Sequence, residues 1–304
     1  MSARPMPYLV IGGAQVAIGA APIFARYALG GAGPLAVAAL RLALAALVVV
    51  AITRRFERLP IRRELAFALA GFALAAHFAT WIASLSYASV AITTLLVTTT
   101  PLWTETYDVI RERRLPSRSF VAALALGIAG VAFVGQGRGA GHPPIPGHEL
   151  LGEALALAGS IAIGVYFLVV RDASKGPSGI RLATRQIVAR TYGWAALGLV
   201  VAAAIGHQAP PSPSNLPAWG GILAMALISQ LLGHTALNAS LATFSPSVVA
   251  LSTLCEPVVA TALAAFIFHE ALGPATAAGG ALVLIAVALT LRAAQPAPEQ
   301  AASL

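Results

Sequence analysis

Ala83-Ser-Leu-Ser-Tyr-Ala-Ser-Val-Ala-Ile-Thr-Thr-Leu-Leu-Val-Thr-Thr-Thr-Pro101 and Ala239-Ser-Leu-Ala-Thr-Phe-Ser-Pro-Ser-Val-Val-Ala-Leu-Ser-Thr-Leu-Cys-Glu-Pro257 read as one element written twice. Laid over each other without a gap, Ala83 falls on Ala239, Ser84 on Ser240, Leu85 on Leu241, Ser89 on Ser245, Leu95 on Leu251 and Pro101 on Pro257. Each copy then runs to a Glu followed four residues later by a Pro, Glu112 with Pro116 and Glu270 with Pro274. The shared order of small polar patch, helix, mid-helix Pro, Glu and Pro makes the chain a duplicated unit, and a repeat of this kind sets the rest of the architecture.

The chain is 58% hydrophobic and only 10% charged, and its apolar residues fall in runs of roughly 20, the length of one bilayer crossing. The expected fold is therefore all-α and integral to the membrane, multi-pass, with the lipid bilayer as solvent. A net charge of +8 would suggest nucleic acid in a soluble protein. Here the Arg residues sit in short gaps between apolar runs, where they act as topology signals, and no nucleic-acid partner is expected. The single cysteine, Cys255, lies inside an apolar run, so neither a disulfide framework nor a thiolate metal site can be built.

Ten transmembrane helices are expected, at 8–27, 34–53, 65–85, 88–110, 120–135, 150–170, 187–205, 218–237, 247–268 and 274–291. The first is too long for a secretory signal, carries Pro22 and lacks a small-x-small cleavage site, so it is read as retained. Arg4, Arg54, Arg55, Arg58, Arg62, Arg63, Arg111, Arg113, Arg114, Arg118, Arg171, Lys175, Arg181, Arg185 and Arg292 collect on one side, against Arg26 and Arg138 on the other. The positive-inside rule then makes both termini cytoplasmic.

The Gly/Pro-rich loop 135–148 has the composition of a connection, giving units 1–141 and 142–304 of five helices each. Five is odd, so the second unit enters the membrane from the opposite face and the two are inverted. Many secondary transporters share this layout, with substrate bound near mid-membrane where the repeats meet. The first helices of the units agree at one offset: Ala17 with Ala162, Ile18 with Ile163, Gly19 with Gly164 and Arg26 with Arg171.

With its helix-Pro-helix-Glu segments (Thr100-Pro101 through Glu112-Arg-Arg-Leu-Pro116; Glu256-Pro257 through Glu270-Ala-Leu-Gly-Pro274), the chain resembles the EamA-type transporters of the drug/metabolite transporter (DMT) superfamily. Within them it looks most like the YddG-type aromatic and other amino-acid exporters. That resemblance implies amino-acid export across the cell inner membrane by alternating access, with amino acids as the small-molecule partner. The first repeat has two residues fewer between Pro and Glu than the second, so Glu112 need not match Glu270 in role.

A mid-helix Pro strips the carbonyl four residues before it of its partner, and in a bilayer that carbonyl must be satisfied by protein or water. Pro101 and Pro257 free those of Val97 and Thr253, beside Thr98, Thr99, Thr100, Ser252, Cys255 and Glu256. Either neighbouring hydroxyls satisfy a kink, or both helices line a hydrated cavity. Gln230, His234 and Asn238 form a polar stripe at i, i+4 and i+8, and His77 and Trp81 are likewise four apart. A stripe on lipid would be costly, so it makes interhelical hydrogen bonds or lines the cavity. Gln15, Thr100, Trp103 and Tyr166 add hydroxyl, amide and aromatic groups nearby. Such a set suits a zwitterion with an apolar side chain.

Glu256, a mid-membrane carboxyl, has three readings: a proton-coupling site, a contact for the substrate amine, or a protonated acceptor beside Pro257. Arg41 and Arg190 have no evident acidic partner in sequence and are read as snorkelling or packing residues. No catalytic motif, metal-ligand spacing or cofactor loop stands out, so no enzyme, metal or cofactor is expected. Gly127, Gly130, Gly135, Gly279 and Gly280 are spaced for close helix packing. Export of other small metabolites or drugs is one alternative. A membrane enzyme acting on lipid-borne substrates is another; it would have to use Asp108 with Glu112, or Glu149 with Glu153. A channel would need a charged or carbonyl ring that one chain cannot close. The oligomeric state stays open; an internal repeat is compatible with a monomer.

Overall fold

A computed structural model describes residues 6–88, 90–136, 147–176, 181–268 and 273–293. Glu270 and most of the expected inter-unit loop lie outside them. The described residues are helical: α1 (Met6–Gly19), α2 (Ala21–Leu29), α3 (Pro34–Thr53), α4 (Ile61–Ser84), α5 (Val90–Val97), α6 (Thr100–Glu112), α7 (Arg118–Gln136), α8 (Glu149–Ser174) and α9 (Thr184–Ile205). They continue through α10 (Leu216–Ala224), a π-helical stretch Met225–His234, α11 (Thr235–Ser240), α12 (Pro246–Ser252), α13 (Cys255–Phe268) and α14 (Pro274–Ala293). Among them, eight helices or continuous helical runs are long and apolar enough to cross a membrane. The two other runs expected to cross are a broken pair, α5 and α6, and a shorter apolar helix, Arg118–Val134.

Helix ends follow local chemistry. Pro stands in the first turn of α2, α3, α6, α10 and α12, where its missing N–H costs nothing. Asn215 and Ser245 cap α10 and α12 by accepting from the amides of Ala218 and Val248, at 3.2 and 3.3 Å. Other caps come from far away. Gln208 Oε1 accepts from Leu35 N at 2.8 Å, and Arg63 donates to the Ala173 and Ser174 carbonyls at the end of α8. Arg181 donates to the Asn238 and Leu241 carbonyls at the end of α11. Burial lowers its pKa to about 10, which leaves it charged at neutral pH.

α3 packs along α9, α4 along α8 and α9, and α7 along α14. The run from α1 to α2 packs against the run from α10 to α11, α5 and α6 lie on α8, and α12 and α13 lie on α1. α7 and α14 touch backbone to backbone: a Cβ on Gly130 would stand 2.8 Å from the Gly279 carbonyl, and one on Gly279 would stand 2.7 Å from Val134 N. These glycines set the crossing, since small residues let membrane helices approach where no hydrophobic force draws them together. Leu47, Ile52, Leu69, Leu197, Leu232 and Leu284 are exposed, as lipid-facing side chains should be.

One end of the bundle holds the ion pairs. Arg171 pairs with Asp108 at 2.6 Å, Arg111 with Asp172, Arg114 with Glu105 at 2.8 Å and Arg190 with Glu64 at 3.0 Å. Of the carboxylates weighed for lipid chemistry, Asp108 is tied to Arg171 and Glu112 to Arg114, while Glu149 Oε1 accepts from Gly147 N.

Candidate functional site

The helix breaks organise the centre. α5 stops at Val97 and α6 begins at Thr100; α12 stops at Ser252 and α13 begins at Cys255, so both breaks fall just before the prolines at 101 and 257. The freed carbonyls are satisfied locally. Val97 O accepts from Thr100 Oγ1 at 2.8 Å, and Thr253 O accepts from Glu256 N at 2.9 Å. Both residues also line a cavity, so the two readings of the kinks hold together.

Each break is latched to a distant helix. On α1, Gln15 Nε2 donates to Ser252 Oγ at 2.8 Å. On α8, Ser160 Oγ takes the indole N–H of Trp103 at 3.0 Å and meets the hydroxyls of Thr99 and Thr100 at 3.0 and 3.1 Å. Ser160 was not singled out by the sequence. Its signal was there: it stands opposite Gln15 at the offset that pairs Gly19 with Gly164.

The cavity, of about 30 Å³, is lined by His77, Trp81, Thr100, His234 and Glu256 among the expected residues, and by Arg41, Phe78, Phe167 and other apolar groups besides. His77 Nδ1 lies 2.9 Å from the Gly159 carbonyl. A carbonyl only accepts, so Nδ1 carries the proton in this contact. The His77 ring lies parallel to Trp81, with centroids 6.3 Å apart, and Phe78 meets His234 edge-on at 5.2 Å.

Gln15, Trp103, Tyr166, Gln230 and Asn238 are not brought to the cavity wall; they stand behind it. The Tyr166 hydroxyl donates to Asn238 Oδ1 at 2.8 Å, and Asn238 Nδ2 donates to the His234 carbonyl at 2.8 Å. Gln230 Oε1 accepts from Arg41 Nε at 3.0 Å. The stripe thus splits, with His234 at the wall and its two neighbours in the layer that holds the wall in place.

Of the two roles expected for Arg41 and Arg190, snorkelling or packing, both take the packed one. Arg190 has an acidic partner, Glu64, and also donates to Gln186 Oε1 at 2.7 Å. Arg41 does not snorkel: it is 0% exposed, and its Cζ lies 4.0 Å from the Phe78 ring centroid. Its Nη1 and Nη2 have no hydrogen-bond partner among the described residues. Burying a guanidinium costs several kcal/mol, and a desolvated cation–π contact returns only about 2 kcal/mol. An ionisable group kept there at net cost is a functional candidate, a signal already present in its place eight residues into an apolar run. Among the described residues, no group of three or more His, Cys, Asp or Glu could hold a metal ion.

The EamA-like transporter family matches the chain twice, over residues 6–136 and 150–292. The chain belongs to the EamA-like transporter family. A member of this family is a multi-pass membrane transporter of small solutes, which is what a part-polar cavity among apolar helices suits. A solved structure titled "Crystal structure of protein" aligns with this EamA chain at a TM-score of 0.76, covering 96% of it and 98% of its own length at 18% identity. That likeness establishes the fold and is silent on substrate. No curated protein matches.

Proposed function

We propose that this EamA-type protein exports amino acids, aromatic and others, across the bacterial inner membrane by alternating access. The observation that carries the reading is the cavity. It joins aromatic walls (Trp81, Phe78, Phe167) to a few polar groups (His77, Thr100, His234, Glu256, Arg41) at the two helix breaks, the make-up of a site for a small zwitterion with an apolar side chain. A free volume of about 30 Å³ holds roughly one water, so an amino acid enters only when the helices part, as alternating access requires.

The reading takes the chain as ten crossings in two inverted units, 1–141 and 142–304, with both termini cytoplasmic and a monomer sufficient. The packing partnerships support it, since exchanging the units leaves them in place. α8 with α4 answers to the α1–α2 run with the α10–α11 run, and α5–α6 with α8 answers to α12–α13 with α1. α3–α9 and α7–α14 each answer to themselves. The latches at Gln15 and Ser160 follow the same exchange.

Counterflow of labelled amino acids into proteoliposomes tests the function. Liposomes loaded with unlabelled aromatic or branched-chain amino acids should take up label well above protein-free controls. Absence of counterflow across a full amino-acid panel, with a protein shown to be folded, would refute it.

A further inference from the structure

We propose that Arg41 is the carboxylate anchor of the central site, its Nη1 and Nη2 taking the two oxygens of a zwitterionic substrate whose ammonium group faces Glu256. The inference rests on the amino-acid reading above and names the group that would recognise the substrate's negative end.

The guanidinium is already held on every side but one. Nε donates to Gln230 Oε1 at 3.0 Å, the ring of Phe78 lies 4.0 Å from Cζ, and the side chain is 0% exposed. The edge formed by Nη1 and Nη2 is left without a partner among the described residues, on a residue that lines the cavity. Two parallel N–H groups on one rigid edge are the complement of a carboxylate, which accepts both at once.

A plain internal ion pair with Glu256 is the competing account, and it does not fit the geometry. Both residues line the same cavity, yet neither Arg41 nitrogen is bonded to the carboxyl. The carboxyls on α6 are engaged elsewhere, Glu105 with Arg114 and Asp108 with Arg171. Among the described lining residues Arg41 is the one Lys or Arg and Glu256 the one carboxyl. A ligand bearing only an amine would add a second cation beside Arg41, and one bearing only a carboxylate would leave Glu256 without its counter-charge. An α-amino acid satisfies both, and its side chain meets Phe78, Trp81 and Phe167.

The test uses probes that differ by one charged group: L-tryptophan, tryptamine and 3-indolepropionate, with L-leucine and isoamylamine as a second set. Thermal stabilisation and counterflow are read on the full-length protein. On the wild type the amino acids should stabilise and exchange, and the two amines should do neither. In Arg41→Lys and Arg41→Gln the half-saturating amino-acid concentration should rise roughly ten- to hundredfold, the size of a lost charged hydrogen-bond pair. Glu256→Gln should weaken the amino acids while leaving 3-indolepropionate unchanged or tighter. Amines that match their amino acids on the wild type, or an unchanged affinity in folded Arg41→Lys, would overturn the assignment. The analogue comparison needs no variant, so it stands even if Arg41→Gln misfolds. A wild type that moves the amines as well as their amino acids sinks Arg41 alone and leaves the amino-acid reading standing. One that moves no amino acid sinks the substrate reading and this inference together.

Discussion

Polar side chains in this bundle fall into two layers, and the distinction decides what each should do when removed. His77, Trp81 and His234 border the cavity, whereas Tyr166 and Asn238 bond to each other behind it. His77→Ala, Trp81→Ala and His234→Ala should therefore lower counterflow by an order of magnitude or more at near-normal folded yield. Asn238→Ala removes the acceptor of Tyr166 and the donor to the His234 carbonyl. At about 0.6 kcal/mol per interhelical bond in membrane proteins, and up to about 1.7, it should cost about 1–2 kcal/mol of stability, with most transport per folded molecule retained. Melting temperature and counterflow measured on the same preparations separate the layers. If Asn238→Ala loses transport without losing stability, it belongs to the wall after all.

At the scale of elements, the breaks at 98–99 and 253–254 are held by chemistry that a single substitution can undo. Pro101 cannot donate to the Val97 carbonyl, which turns to the Thr100 hydroxyl instead. Pro101→Ala or Pro257→Ala restores the missing N–H and lets each pair of segments run on as one helix; each proline stands in a first turn, where it costs little, so its removal takes no stability away. Both variants should thus be at least as heat-stable as the wild type. If the breaks are the places where the helices bend to open the cavity, both variants should also transport about tenfold more slowly, equivalent to about 1.4 kcal/mol on the barrier. Unchanged rates in two straightened helices would show that the bending happens elsewhere.

The whole molecule raises the question of sidedness. The Arg-rich end gathers the C-termini of α3, α6, α8 and α11 and the N-termini of α4, α7 and α9, through pairs such as Arg190 with Glu64 and Arg171 with Asp108. By the positive-inside rule we propose that this end is the cytoplasmic one. In a Cys255→Ala background, a cysteine at Arg58 should be labelled only from the cytoplasmic side and one at His142 only from the outside. Labelling of both from one side would remove the inversion and, with it, the pairing of the two units. Because the lone cysteine is buried, its replacement should leave the background silent without disturbing the surface.

Much of this protein is legible in its sequence. Hydropathy alone establishes a membrane chain, the alignment of Pro101 on Pro257 locates two matched breaks, and the spacing of His77 and Trp81 puts both on one helix face. Depth in the bilayer is written in composition, because only apolar runs of sufficient length can cross it. The direction in which each helix turns its faces is not written there. Lipid and protein interior are equally apolar, so a spanning helix is hydrophobic all round, and its pattern does not say which side meets a neighbour. For that reason Gln15, Trp103, Tyr166, Gln230 and Asn238 could be assigned to a polar interior but not to the wall or the layer behind it. For the same reason Arg41 and Arg190 lacked partners in sequence. Gln230 lies 189 positions from Arg41, and Glu64 lies 126 from Arg190. Only the packing of α3 beside the π-helix and of α9 beside α4 brings those groups within hydrogen-bond reach, because the rotation of each helix is settled by its contacts with the others.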